Sequence, residues 1–242
     1  MKMITAKIDT HTHTIASIHA YSTLKENITE AKKKGLTGLA VTDHAPGLGL
    51  GDTFPKTYFG NMRKAIPKFV EGLRIFKGVE CNVLDYDGTL DLPTTTLQKM
   101  DLVIASCHAQ VVKPTTLEKQ DQLWMNIARN PYVDIIGHPG DEAFRFSFEK
   151  VIQEFKKYDK IVEINSSSFP YRKNARKNCQ EIALLCKKYR VKITISSDAH
   201  FYTEIGNFEE ALKMLESIDF PAELIVNRDL ESLTAALTHC EK

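Results

Sequence analysis

Apolar or β-branched runs alternate with helical patterns along almost the whole chain, and that alternation restricts the fold more than any other feature. Residues 6–9, 39–42, 73–81, 101–106, 133–137, 161–165 and 192–196 read as strands. Leu24, Ile28 and Ala31 share a helical face behind Ser22 as cap, with Gly35 closing the turn. A second helix is expected over 59–71. Thr115 and Glu118 have capping-box spacing and open a helix that turns Leu123, Trp124 and Ile127 inward until Asn130-Pro131 stops it. Ser147 caps the stripe Phe148, Val151, Ile152 and Phe155, and a further helix runs through Cys179, Ile182, Cys186 and Tyr189. Asn207 with Glu210, and then Asn227, mark the last two helix starts. Strict alternation predicts a mainly parallel sheet with helical crossovers. About seven βα units in 242 residues favour one closed or distorted barrel, a single α/β domain over 1–242, above an open doubly wound sheet. No Gly-x-Gly-x-x-Gly follows any strand.

The eight histidines make this barrel chemically specific. In Asp9-Thr10-His11-Thr12-His13 the two imidazoles stand two apart on a strand, so both point the same way and form half of a divalent-metal site. A lone His-x-His is a weak signal. Here, however, His11, His13, His19, His44, His108, His138 and His200 all fall at the carboxyl end of an expected strand or in the loop after it, and only His239 does not. In a βα barrel those positions share one mouth. Asp9, Glu80 and Asp198 fall there too. An unsatisfied buried polar ring costs about 1–3 kcal/mol, so several at one mouth without a ligand are a heavy liability. A good zinc site instead returns about 10 kcal/mol. Nine candidate ligands (His11, His13, His19, His44, Glu80, His108, His138, Asp198 and His200) are too many for one ion; two ions are comfortable, and three fit if a carboxylate bridges. Mixed nitrogen and oxygen donors favour Zn, Mn or Fe over Mg or Ca.

Composition excludes several classes. A net charge of +1 gives no general attraction to duplex DNA or an anionic membrane, and no basic track for an extended nucleic-acid strand. No apolar run reaches membrane-spanning length, and residues 1–6 lack the apolar core of a signal peptide, so a cytoplasmic location is expected. Five cysteines without Cys-x-x-Cys spacing argue against a disulfide framework or a thiolate zinc site. Residues 45–58, rich in Gly and Pro, read as a loop expected to act as a substrate lid. Oligomeric state is left open.

Four blocks in order, Asp9-Thr10-His11-Thr12-His13, Thr42-Asp43-His44, Gly137-His138-Pro139-Gly140 and Ser197-Asp198-Ala199-His200, make the chain resemble the PHP (polymerase and histidinol phosphatase) superfamily. Glu80, His19 and His108 complete that family's nine-ligand set, and Glu163 to Phe169 with Arg172-Lys173 resembles its small stand-alone YcdX-like phosphatases. The resemblance implies a distorted seven-stranded TIM-like barrel with three metals. The first would take His11, His13, Glu80 and Asp198, with Glu80 bridging to a second on His108 and His138, and His19, His44 and His200 holding the third. It implies hydrolysis of a phosphate monoester, a small phosphorylated metabolite, by a hydroxide bridging the first two metals. His11, His13, Glu80, Asp198 and His200 would be the catalytic set. Arg172, able to grip phosphate bidentately, is the favoured substrate contact, with Asn165 a weaker candidate. Asp9 and Asp43, beside ligand histidines, are expected to orient them. The alternatives are a metal-dependent amidohydrolase, which also opens with His-x-His on a barrel strand, a metal-binding module without turnover, and a nuclease acting on nucleic-acid ends.

Overall fold

The expected runs pair as β1 (Ile8–Asp9), β2 (Gly38–Val41), β4 (Leu73–Asn82), β5 (Leu102–Ser106), β6 (Ile135–Ile136), β7 (Ile161–Asn165) and β8 (Ile193–Ser196), in that order and all parallel. The computed structural model that shows this describes residues 4–48 and 57–240. A parallel bridge from Thr12 to Ala199 brings the two ends of the sheet together, so the seven strands form a nearly closed, distorted TIM-like barrel. Every one of these strands is buried throughout, which is why β2, β5 and β6 read as near-continuous apolar runs rather than as alternating ones.

Two layers of packing hold the barrel. Inside, Ile8, Ala40, Phe76, Ile104, Ile135 and Ile161 pack against Val226, Leu233 and Leu237 from the carboxyl-terminal segment, so one end of the barrel is plugged by apolar side chains. Outside, Leu39, Val41 and Ile75 pack under α1 (Leu24–Lys33) and α2 (Tyr58–Ala65). Trp124, Ile152, Phe155 and Ile182 carry α4 (Leu117–Arg129), α5 (Phe148–Lys157) and α7 (Ala175–Tyr189) on the opposite side. Gly78 lies one layer below the mouth. A Cβ there would stand 2.8 Å from the Leu102 carbonyl oxygen, so only glycine lets β4 approach β5 at that level.

The seven expected strands and the main helices all form, whereas the short α3 (Thr94–Leu97) and α6 (Ser168–Tyr171) are additions and several starts and stops differ. The first helix is capped by Thr23, not Ser22, because Thr23 and Glu26 form a reciprocal capping box. Ser22 Oγ instead accepts from the Tyr202 N–H. The helix expected over 59–71 ends at Ala65, since Ile66 precedes Pro67 and is held extended. Beyond it, β3 (Phe69–Val70) turns back onto β4 through Glu71 and Gly72, both at positive φ, as a two-residue hairpin needs. The capping box of Thr115 and Glu118 does not form, and Thr116 precedes the helix without a side-chain bond. Phe208 rather than Asn207 precedes α8 (Glu209–Ser217), and Asn207 bonds Glu204. Asn227 starts no helix: its buried amide ties Ile8 to Ile195, and Asp229 caps α9 (Leu230–Ala236). Residues 49–56 of the expected lid lie outside the described residues. Among the described residues no helix is long and apolar enough to cross a membrane.

Candidate metal centre

Regular pairing in β1 stops at Asp9, so strand alternation is not what holds His11 and His13 together. The irregular segment that carries them is tied on both flanks. Thr12 donates its hydroxyl to the Ala40 carbonyl and its N–H to Thr42 Oγ1, and the His13 N–H donates to the Ala199 carbonyl. The two rings end 5.1 Å apart. Imidazoles then follow one another across the mouth. His13 stands 4.3 Å from His44 and 4.2 Å from His200, His19 is 4.6 Å from His200, and His108 lies 5.4 Å from His44 and 5.1 Å from His138, centroid to centroid. His239, by contrast, stacks on Tyr132.

Glu80, buried near the end of β4, sits at the middle of these rings. Its Oε1 is 3.2 Å from His138 Nε2 and 3.6 Å from His108 Nε2. Its Oε2 is 3.4 Å from His11 Nε2, 3.5 Å from His13 Nε2 and 2.7 Å from His44 Nδ1. Asp198 adds Oδ1 at 3.1 Å from His13 Nε2 and 3.4 Å from His11 Nε2. Four rings are gripped from behind through Nδ1: His11 by Glu163 at 2.7 Å, His13 by Ser17 at 3.1 Å, His108 by Asn82 at 2.7 Å and His200 by the Asp198 carbonyl at 2.8 Å. Donation from Nδ1 sets the tautomer and leaves the Nε2 lone pair for the centre.

The electrostatics ask for cations. Among the described residues the ion-pair partners of Glu80, Glu163 and Asp198 are all histidines. Burial lowers the His11 pKa, yet the charges of Asp198, Glu163 and Glu80 outweigh it and hold the ring well above the imidazole norm. Burial raises Glu80, and His44, His11 and His108 overcome it and hold the carboxyl well below its usual range. The imidazoles cannot all answer this demand. Burial and the neighbouring His44 push His13 well down, and burial pushes His108 down to about 3. Moreover, among the described residues His11 Nε2, both His44 ring nitrogens and Glu80 Oε2 are buried without a directed hydrogen bond, although His44 Nδ1 and Glu80 Oε2 are close. Among the described residues three groups have donor atoms within 4.8 Å of one another: His11, His13 and Asp198; His13, His44 and His200; and His44, Glu80 and His108. Such unsatisfied nitrogen and carboxylate donors fit divalent cations.

A cleft of about 170 Å³ opens onto the cluster, lined by His19, His44, Glu80, His108, Arg172 and His200 among others. A wider hollow beside Phe220 has no imidazole in its walls. Arg172 reaches the cleft, with Nη1 buried, without a hydrogen bond and 3.6 Å from Asp141. Asn165 does not reach it. Fully buried, its amide donates to Asp198 and its oxygen accepts from the Ser168 N–H, so it braces an acid rather than facing a substrate. Asp9 also departs from expectation, because its carboxylate accepts from Ser197 and Gly206 and from no imidazole. Asp43 acts at one remove. It accepts from Thr14, Tyr58 and Ser17, and Ser17 Oγ in turn accepts from His13 Nδ1. The braces Glu163 and Ser17 were not anticipated; a charged residue inside the apolar run Ile-Val-Glu-Ile-Asn was the available signal for Glu163.

The PHP domain model matches residues 9–219. A probable phosphatase of Acetivibrio thermocellus is 45% identical over 93% of this chain and 92% of its own length. Another of a Thermoanaerobacter species is 46% identical over 95% and 92%. Among solved structures, histidinol phosphate phosphatase of Lactococcus lactis, in complex with Zn, L-histidinol and phosphate, has the same fold at a TM-score of 0.65 and 17% identity, covering 89% of this chain and 95% of that one. The putative histidinol phosphatase of Listeria monocytogenes follows at 0.60 and 16%, covering 85% and 99%. The chain belongs to the PHP domain family, as a hydrolase of the phosphatase class.

Proposed function

We propose that the protein hydrolyses small phosphate monoesters at a centre of three divalent cations of the Zn, Mn or Fe kind. The observation that carries this reading is the convergence of histidine nitrogens on Glu80 and Asp198, with buried donor atoms left unsatisfied. His11, His13, Glu80 and Asp198 would hold one cation, Glu80 would share a second with His108 and His138, and His19, His44 and His200 would hold the third. Cations so held supply positive charge facing the phosphoryl oxygens and bring the pKa of water toward about 7. The chain's own part is to place them and to grip the ester. Arg172 lines the cleft, and its guanidinium, able to donate two parallel hydrogen bonds, would grip a phosphoryl oxygen.

Phosphate release should be measured across aryl phosphates, sugar phosphates and histidinol phosphate, beside phosphodiesters, amides and lactones. Monoesters are expected to turn over. Cleavage of amides or lactones with no phosphate released would make the protein an amidohydrolase instead, and trimming of nucleic-acid ends alone would make it a nuclease. For Arg172→Ala, losing a charged hydrogen bond worth about 1.5–3 kcal/mol should raise KM about tenfold or more, with a smaller loss in kcat. An unchanged KM would leave Arg172 with a role only toward Asp141.

A further inference from the structure

Glu163 lies on β7 with no exposed surface, and four donors surround its two oxygens. Oε1 accepts from His11 Nδ1 at 2.7 Å and from Ser196 Oγ at 2.5 Å. Oε2 accepts from the backbone N–H of His138 at 2.5 Å and lies 3.5 Å from the Asn165 amide. The first bond holds a side chain and the third holds a main chain, and they belong to different parts of the centre. His11 Nε2 looks toward Asp198 and Glu80 Oε2, whereas His138 Nε2 looks toward Glu80 Oε1. The two rings stand 6.4 Å apart and nearly parallel at 18°, on either side of Glu80. His138 also has φ 29, a conformation that a non-glycine residue keeps only when its surroundings impose it. The bond from its N–H to Glu163 is one such restraint.

We propose that Glu163 is a positioning residue that links the cation subsite of His11 to that of His138, so that the two subsites gain or lose affinity together. The inference rests on the metal reading above and adds to it a residue outside the nine donors. Its chemistry follows from the donors around it. A carboxylate accepts on both oxygens at once, and a carboxamide does not. In Glu163→Gln, whichever way the amide turns, an NH2 group meets either the donors on His11 and Ser196 or the N–H of His138. That NH2 is repelled by the donor it meets and shifts the side chain as a whole, so one histidine loses its anchor outright and the other has its bond stretched, at nearly unchanged volume. The cluster around His19, His44 and His200 makes no contact with Glu163 among the hydrogen bonds and ion pairs of the described residues.

The test is direct cation binding, independent of turnover. Metal-free wild type, Glu163→Gln and Ser196→Ala are titrated with Zn(II) and with Mn(II) against a chromophoric chelator, and bound metal is counted by elemental analysis. Loss of a residue that orients a ligand weakens binding about 10–100-fold, so Glu163→Gln should weaken two sites together by that factor and leave the third within twofold. Ser196→Ala keeps the carboxylate and should weaken the same pair to a smaller degree; it also serves if the glutamine variant does not fold. Metal affinities in both variants equal to wild type overturn the proposal, as does weakening confined to one site. A wild type that binds no cation would instead overturn the metal reading itself.

Discussion

Replacing Glu80 by glutamine is expected to bring phosphate release down to background and to lower the number of bound cations while leaving the fold in place. Among the described residues no other side chain in the centre touches so many candidate donors. Glu80 stands within 3.6 Å of nitrogens on His11, His13, His44, His108 and His138. One carboxylate between two sets of imidazoles would let cations sit close together in spite of their mutual repulsion, since its charge would face both. Glutamine keeps the volume and the packing of a residue that is 1% exposed, so collapse of β4 is not the expected failure. The measurement is phosphate release with metal added in excess, elemental analysis after gel filtration, and far-ultraviolet circular dichroism as the check on folding. A glutamine variant with wild-type turnover and a full complement of metal would remove Glu80 from the middle of the site.

Much of this centre could be read from the chain because its signal is positional. Imidazoles at the ends of alternating strands have to meet if the strands form a barrel, and seven of them do. The route was less direct than strand alternation suggests, because β1 is two residues long and His11 and His13 are brought together by bonds to Thr42, Ala40 and Ala199. What the sequence did not disclose was the direction of side chains at strand exits. Asp9 is next but one to His11 and yet turns to Ser197 and Gly206, and Asn165 turns to Asp198 rather than to the cleft. His138 and Asp198 themselves have positive φ, a local departure from extended backbone that no period-two pattern anticipates. Helix starts were blurred for a similar reason. By type Ser22 is the better cap, and what reverses the order is the reach of Glu26 to Thr23.

Removing the cations is expected to cost stability as well as activity. Without them, Glu80, Asp198 and Glu163 are buried carboxylates whose compensating charge comes from imidazoles alone, and burial holds His13 and His108 low. Buried charge left short of partners is costly, so the metal-free fold carries an electrostatic penalty that the loaded fold does not. Binding adds to that difference by mass action. An ion at a hundred times its dissociation constant stabilises the native state by about 2.7 kcal/mol. In a chain of this size each kcal/mol moves the melting midpoint by about 2–4 °C. Two or more ions should therefore place the loaded protein about 10 °C or more above the chelator-treated one. Phosphate release should vanish on chelation and return when Zn(II) or Mn(II) is restored. Calorimetric scans of the two forms provide the check. Coincident melts, with activity indifferent to chelator, would mean that the imidazoles and acids at the mouth satisfy one another and that the chemistry of this barrel has to be sought elsewhere.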